Sequence, residues 1–332
     1  MVGLISFLIV KTSSLGDILQ TFPVVATLKK AFPDCTIDWV VEKGGSALIE
    51  SHPQIDNAII VDSKTWGNLP SLFQQIKNVR EKKYDVLFDM QSNSKSALIT
   101  LLAKAKRKIG FGVKTRREWP NLLVTNEKYD CPIGRNRRLD YLYLVESAFK
   151  IAPVLEEKVE LKISKEEMEF LKTLPTSPTL VAPGSMWKNK TVKNEQLAQF
   201  LTQLEGPFLF SWGSITEKET VTALAEQVGG TVLPKLSLPL LQRVMGQCKL
   251  VVSADSLPLH LAGTAGVPTY SYFGPSSSQV FRPLGPLHQS IQGNCPYGET
   301  FDQRCRFLRT CKDAPCINQL NLLKLTEKNK ES

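Results

Sequence analysis

The sequence predicts an α/β protein of two domains, each built on a doubly wound parallel sheet. The chain has 332 residues, which exceeds the size that a single hydrophobic core usually serves. In both halves short apolar runs alternate with helical patterns, as parallel strands joined by crossover helices do. A stretch rich in Pro, Lys and Glu, 151–177, separates the halves. We therefore expect domains at 1–160 and 175–320.

The first half begins with Leu4–Val10, a run that is apolar except for Ser6 and is predicted to be a strand. A helix is predicted at Ile18–Phe32, interrupted early by Pro23. Further strands are predicted at Thr36–Val41, Ala58–Val61, Val86–Asp89 and Lys108–Phe111. Further helices are predicted at Gly45–Ser51, Leu69–Lys82, Lys95–Ala105 and Arg135–Lys150.

The second half repeats this alternation. Strands are predicted at Thr179–Ala182, Phe208–Trp212, Gly230–Val232, Leu250–Ser253 and Thr269–Phe273. Helices are predicted at Asn194–Leu204, Glu217–Gln227, Leu238–Gln247 and Pro258–Gly266. In open α/β sheets ligands bind outside the carboxyl ends of the strands, so the loops that follow the strands are the candidate sites.

A small polar turn follows the first strand. Ser13, Ser14 and Gly16 keep this turn compact enough for a ligand to approach the backbone. Asp17 comes next, near the start of the following helix. A carboxylate at that position acts as a general base or caps the helix, and the residues alone leave both interpretations open.

The loop after the strand at Thr179–Ala182 is suited to a phosphate. Gly184 and Ser185 offer backbone N–H groups and a hydroxyl to phosphate oxygens. Lys190 adds a compact positive charge that can neutralise a departing diphosphate. A plain strand-to-helix loop with solvated lysines is the alternative.

Three later loops carry further candidates. Glu217 is placed to bind ribose hydroxyls, or it is simply an acid in the first turn of a helix. Leu236 lies in an apolar loop that can border a flat base. Asp255 can accept hydrogen bonds from sugar hydroxyls, and Ser256 at a helix start suits a phosphate. His260 lies near Asp255, although a lone histidine is usually structural.

The formal net charge is +9, and basic residues concentrate in the first half. They are Lys104, Lys106, Arg107, Lys108, Lys114, Arg116, Arg117, Arg135, Arg137 and Arg138. Such density suits an anionic partner, either a phosphorylated lipid or an acidic membrane surface, and a solvated face is the alternative. No nucleic-acid-binding motif accompanies the charge, so we expect no nucleic-acid partner. No apolar run approaches a membrane span and no leader is evident, which predicts a cytoplasmic protein.

Seven cysteines are present. Three are isolated and expected to be buried, namely Cys35, Cys131 and Cys248. Four cluster late in the chain, namely Cys295, Cys305, Cys311 and Cys316. Their spacing lacks the tight pair that is typical of zinc sites, so a metal or redox role and plain packing both stay open.

Taken together, five segments resemble glycosyltransferase family 9, the ADP-heptose lipopolysaccharide heptosyltransferases. They are Lys11–Asp17, Pro183–Lys190, Trp212-Gly213 with Glu217, Asp255–His260 and Tyr272–Ser276, and they occur in family order. The resemblance implies a GT-B architecture of two Rossmann-like domains facing a central cleft. It also implies an inverting, metal-independent transfer of heptose from ADP-heptose to the Kdo/heptose-lipid A inner core.

The resemblance further implies individual roles. Asp17 would be the base and Lys190 the contact to the diphosphate. The other donor-binding residues would be Ser14, Gly16, Gly184, Ser185, Glu217 at the ribose, Leu236 at the adenine, Asp255 at the heptose, Ser256 and His260. The acceptor would meet Lys11, Arg116 and Arg117. We expect no cofactor, an anionic lipopolysaccharide precursor as acceptor, and peripheral association with the inner face of the inner membrane. Another nucleotide-sugar, a protein acceptor or a non-enzymatic binding role are the alternatives.

Overall fold

A computed structural model describes residues 4–155 and 158–327 of the protein. The chain divides into two compact units, Met1–Glu157 and Lys158–Ser332. Each unit carries its own parallel sheet with helices. None of the helices within the described ranges is both long and apolar enough to span a membrane.

The described part of the first unit contains a six-stranded sheet in which every pair of neighbours is parallel. Its strands are β1 (Ser6–Val10), β2 (Thr36–Glu42), β3 (Asn57–Val61), β4 (Lys83–Asp89), β5 (Lys104–Phe111) and β6 (Glu127–Tyr129). They lie in the order β3-β2-β1-β4-β5-β6. Strand order reverses between β1 and β4, and ligands of such sheets bind at that switch point.

The helices described in this unit are α1 (Leu15–Leu19), α2 (Phe22–Ala31), α3 (Ser46–Glu50), α4 (Leu69–Arg80), α5 (Ser94–Leu102), α6 (Asn121–Val124) and α7 (Arg137–Phe149). Short 3₁₀ turns occur at Lys43–Gly45 and Ser63–Thr65. The helix predicted at Ile18–Phe32, with an early interruption at Pro23, is divided into α1 and α2. Pro23 lies in the first turn of α2, where a backbone N–H has no partner within the helix in any case. The helix α1 therefore ends before Pro23, and α2 begins at Phe22.

Buried aliphatic and aromatic side chains hold β1 in the middle of the first sheet. Leu8 and Val10 pack on one side with Leu87. Phe7 stacks on Phe88 and meets Phe149 of α7 edge-on. The carboxyl end of β1 is therefore a rigid base for the turn that follows it. Cys35 and Cys131 are buried free thiols, as predicted.

The second unit repeats the architecture. Its described strands are β7 (Thr179–Ala182), β8 (Phe208–Phe210), β9 (Thr231–Val232), β10 (Leu250–Ala254), β11 (Thr269–Phe273) and β12 (His288–Gln292). They lie in the order β12-β11-β10-β7-β8-β9, all parallel. With β7 counted as the first strand, this is the strand order of the first unit, and its switch point lies between β7 and β10. Cys248 is buried, as predicted.

The helices described in this unit are α8 (Lys165–Lys172), α9 (Asn194–Leu201), α10 (Ile215–Val228), α11 (Leu238–Met245), α12 (Leu257–Ala265), α13 (Ser278–Phe281), α14 (Pro315–Asn318) and α15 (Lys324–Glu327). A 3₁₀ turn covers Lys188–Lys190. The segment 158–177, predicted as part of a passage between domains, belongs to this unit and contains α8. Leu161 is fully buried, and Val159 N donates to Thr264 O at 2.9 Å.

Several predicted elements begin or end at other residues in the structure. The predicted helix at Lys95–Ala105 ends at Leu102, and β5 already begins at Lys104. The strands β4 and β5 start several residues before their predicted apolar runs. Charged residues at the amino ends of these strands hide the strand period, because those ends are partly exposed.

Candidate active site

Asp17 closes the turn between β1 and α1. Asp17 is the third residue of α1, and its carboxylate accepts hydrogen bonds from Ser14 N at 3.3 Å and Ser14 Oγ at 2.9 Å. Gly16 lies beside it in the same turn of helix. This capping box confirms that Asp17 caps the helix. The side chain is half-exposed, so its carboxylate is also reachable by a ligand.

A buried cation lies close to this carboxylate. Lys11 follows β1, and its Nζ is 5.0 Å from the centroid of the Tyr141 ring. Burial, together with the positive charges of Arg117 and Arg137, lowers the pKa of Lys11 to about 8, although the carboxylate of Asp17 opposes the shift. The charges of Asp17 and Arg117 therefore both act on Lys11 at the carboxyl end of β1.

The end of β4 contributes a carboxylate that the sequence analysis missed. Asp89 is fully buried and accepts hydrogen bonds from Thr100 Oγ1 at 2.8 Å and Asn121 Nδ2 at 2.5 Å. It also accepts the backbone N–H groups of Gln91 at 3.1 Å and Ser92 at 2.9 Å. Burial raises the pKa of Asp89, and the hydrogen bonds from Ser92, Thr100 and Asn121 oppose the shift. The signal was available, since Asp89 ends an apolar strand and the polar residues Gln91 and Ser92 follow it.

The loop held by Asp89 supports the neighbouring turn and the basic loop after β5. Gln91 Oε1 accepts from Ser13 N at 3.2 Å, and Gln91 Nε2 donates to Ser13 Oγ at 3.3 Å. Ser92 Oγ accepts from Arg117 N at 3.2 Å, while the Arg117 side chain is exposed. Arg116 donates from its guanidinium to the carbonyl of Val113. Of the predicted acceptor residues, Lys11 and Arg117 thus lie near each other at the carboxyl ends of β1, β4 and β5.

In the second unit the loop after β7 approaches the start of α10. A Cβ atom on Gly184 would lie 2.5 Å from the carboxyl carbon of Glu217, so a side chain at position 184 would displace this carboxylate. Ser185 Oγ accepts weakly from Trp187 N at 3.5 Å. Glu217 Oε2 accepts from Gly213 N at 2.7 Å and closes a capping box on α10. The carboxylate of Glu217 therefore caps α10, as one of the two sequence alternatives expected, and it also borders the loop of Gly184, while its ribose-binding role stays a prediction.

A buried ion pair joins two residues that the sequence analysis had assigned to separate parts of the donor. Lys190 Nζ lies 2.5 Å from Asp255 Oδ2, and both side chains are buried. Ser276 Oγ donates to the same carboxylate oxygen. Burial would raise the pKa of Asp255, but the positive charge of Lys190, the influence of His260 and the hydrogen bonds hold it below its usual value. Ser276 was quoted within a matching segment but had received no role.

The start of α12 adjoins this pair. Ser256 is the N-cap of α12, and its hydroxyl is buried without a hydrogen-bond partner among the described residues. The first turn of a helix presents unsatisfied N–H groups and a partial positive charge. His260 is buried in the same helix. Beyond β9, Leu236 is half-exposed in the loop before α11. The predicted donor residues of this unit thus follow β7, β8, β9 and β10 at one edge of the sheet.

A segment rich in cysteine, 295–316, braces two of these loops. Cys305 N donates to Pro275 O at 2.7 Å, next to Ser276. Leu308 O accepts a hydrogen bond from Asn189 Nδ2, next to Lys190. The cysteine segment therefore contacts both chain segments that carry the partners of Asp255, a connection that the sequence did not reveal.

The four thiols of the cysteine segment are free. Burial raises the pKa of Cys316 to about 11, and the other three thiols add to the shift. Within the described ranges, no group of three or more His, Cys, Asp or Glu side chains is arranged to hold a metal ion.

Comparisons with known proteins agree with this architecture. The family model of glycosyltransferase family 9 (heptosyltransferase) matches residues 72–310. The lipopolysaccharide heptosyltransferase 1 of Pseudomonas aeruginosa is 28% identical, over 95% of this chain and 94% of that protein. The lipopolysaccharide core heptosyltransferase OpsX of Haemophilus influenzae is 30% identical, over 84% of this chain and 82% of that protein.

Solved structures show the same fold. Escherichia coli heptosyltransferase WaaC with ADP-2-deoxy-2-fluoro heptose superposes with a TM-score of 0.76 at 24% identity, over 98% of this chain and 100% of that one. A glycosyl transferase family 9 protein from Veillonella parvula superposes with a TM-score of 0.78 at 19% identity, over 98% and 97% of the two chains. The match of the family model over most of the sequence, together with the 30% identity to OpsX, shows that the chain belongs to glycosyltransferase family 9, the heptosyltransferases.

Proposed function

We propose that this chain transfers heptose from ADP-heptose to the inner-core sugars of a lipopolysaccharide precursor, with inversion in one displacement. The observation that carries the proposal is that charged side chains meet at the switch point of each sheet. Asp17 and Lys11 follow β1, and Lys190 pairs with Asp255 between β7 and β10. Two observations support the choice of donor and acceptor: the relatives are named lipopolysaccharide heptosyltransferases, and a solved structure of similar fold is described with ADP-2-deoxy-2-fluoro heptose.

In this proposal the first unit binds the acceptor. Asp17 accepts the proton of the attacking sugar hydroxyl, because its carboxylate is half-exposed above the turn. Lys11, Arg116 and Arg117 bind the carboxylates and phosphates of the acceptor through charge-assisted hydrogen bonds. A lipid-anchored acceptor would place the enzyme at the cytoplasmic face of the inner membrane.

The second unit binds the donor. The unpartnered Ser256 hydroxyl, the start of α12 and the loop of Gly184 and Ser185 suit the diphosphate. Lys190 neutralises the charge that develops on the departing ADP, a role that a metal ion fills in other transferases. Glu217 would accept ribose hydroxyls, Leu236 would border the adenine, and Asp255 with His260 would face the heptose.

The substitution Asp17→Asn tests the proposal. With ADP-heptose and a Kdo-lipid A acceptor, we expect the variant to turn over about 100-fold more slowly, the scale on which a general base contributes. Calorimetry should find its ADP affinity close to that of the wild type, because Asp17 belongs to the acceptor side. Asp34→Asn, an exposed carboxylate before β2, is the matched control and should be fully active.

The same assay separates the alternatives. Wild-type transfer from ADP-heptose should exceed transfer from other nucleotide-sugars and should persist in EDTA. Equal turnover by Asp17→Asn and the wild type would remove Asp17 as the base. Transfer from a different nucleotide-sugar only, or to a protein only, would replace the proposed substrates.

A further inference from the structure

The first unit exposes an apolar surface beside its basic loop. Five apolar side chains form it, and we call this set the apolar collar: Leu98, Leu101, Val113, Trp119 and Leu123. Val113, Trp119 and Leu123 are 60%, 63% and 75% exposed. Large apolar side chains grouped on a surface mark an interaction site more often than single exposed ones do.

The collar is one surface because contacts join its parts. Ser94 N donates to Glu118 Oε2 at 2.8 Å, which ties the loop after β5 to the start of α5. Leu98 and Leu101 follow Ser94 at helical spacing on α5, so they lie on the face to which that loop is tied. The helices α5 and α6 pack against each other, and Leu123 lies on α6.

Positive charge adjoins the collar. The loop 113–119 contains Lys114, Arg116 and Arg117 against a single acid, Glu118, which is occupied by Ser94. Lys114, Arg117 and Trp119 also line a shallow cavity of about 490 Å³. Cations and aromatic rings mixed in this way match the boundary between lipid headgroups and acyl chains, where Trp is enriched and Lys and Arg bind anionic lipids.

We propose that the apolar collar docks on an anionic lipid bilayer, with Trp119 and Leu123 at the acyl boundary and Lys114 among the headgroup phosphates. This inference rests on the proposed function, because the loop 113–119 contacts both the collar and the candidate acceptor site. Arg117 N is bonded to Ser92 Oγ, and the Arg117 charge acts on Lys11. A precursor held in the bilayer would thus have its sugars delivered next to Asp17.

Vesicle flotation tests the docking directly. The wild-type chain should float with vesicles of phosphatidylethanolamine and phosphatidylglycerol and much less with phosphatidylcholine alone. The double variant Trp119→Ser, Leu123→Ser should lower the bound fraction about tenfold or more at any salt concentration, because it removes apolar insertion. Lys114→Glu should lower binding to anionic vesicles at low salt, and the difference should fade as salt screens the charge.

The matched control is Met168→Ser with Leu287→Ser, two exposed apolar residues of the second unit. It should float like the wild type, and thermal unfolding should show all variants folded. Failure of the wild type to bind anionic vesicles, or equal binding by the Trp119 and Leu123 double variant, overturns the docking proposal.

A transfer assay keeps this result separate from the proposed function. With an acceptor stripped of its acyl chains, the double variant should match the wild-type kcat/KM. With the same acceptor in vesicles, its kcat/KM should fall in parallel with binding. If the wild type transferred no heptose, the proposed function would be wrong. The flotation result would still test the docking surface by itself.

Discussion

Asp255 receives two partners at one carboxylate oxygen, the Lys190 ammonium and the Ser276 hydroxyl. An unpaired charge in a buried position costs far more than a paired one, so removing either ion should be expensive for the fold. The pair therefore has a structural role in addition to the proposed role at the diphosphate. These two roles can be separated by experiment.

Lys190→Met should lower the free energy of unfolding by about 3 kcal/mol at pH 7, because Asp255 is left buried and unpaired. Lys190→Met with Asp255→Leu should recover most of that loss, since no buried charge remains. ADP affinity should stay low in both variants if Lys190 binds the diphosphate. Urea unfolding and calorimetry measure the two quantities, and recovery of ADP binding in the double variant would leave Lys190 with a structural role only.

The pH dependence of this loss has a definite sign. The folded pKa of Asp255 lies below its usual value, so the pair stabilises the fold above the unfolded carboxyl pKa, about 4. That contribution disappears as pH falls through the lower folded pKa. The stability difference between the wild type and Lys190→Met should therefore be largest near pH 7 and smaller at pH 3.

At this scale the sequence predicted residues in the loops and helix starts that follow apolar strands, such as Asp17, Lys190 and Asp255. It did not predict Asp89 or Ser276 as site residues. The role of Asp89 depends on β4 lying beside β1, and that of Ser276 on β11 lying beside β10. Strand neighbours are a property of the topology, which a local pattern does not contain.

Among the elements, the cysteine segment has the clearest consequence for the site. Cys305 contributes its backbone N–H to Pro275, and this bond does not require its thiol. Cys305→Pro removes the N–H, and we expect ADP affinity to fall about fivefold, the scale of one lost hydrogen bond. Cys305→Ala keeps the N–H and should bind ADP like the wild type. Weak ADP binding by Cys305→Ala would show instead that the thiol itself matters.

Elements were predictable where their residues are buried on both faces. The strands β7 and β11 match their predicted bounds because every residue in them is buried. The strands β6 and β12 escaped prediction, since they lie at sheet edges and mix polar with apolar residues. The short helix α6 follows Pro120 and is too brief to show a helical period.

At the scale of the whole molecule, one strand order serves two proposed tasks. Hydrogen exchange can test this division, because a bound ligand slows exchange where it orders the backbone. We expect ADP to protect the loops 183–190 and 254–260 and to leave the loop 89–93 of the first unit unchanged. Protection by ADP confined to the first unit would reverse the assignment of donor and acceptor units.

The contact between Asn189 and Leu308 joins residues 119 positions apart along the chain. A ribosome adding about 5–20 residues per second needs on the order of ten seconds to make that stretch. During synthesis, the loop of Lys190 therefore emerges long before the cysteine segment that supports it. The nascent second unit should gain its proposed nucleotide affinity only after residues 295–316 are made, whereas every contact described within 4–155 is already available by then.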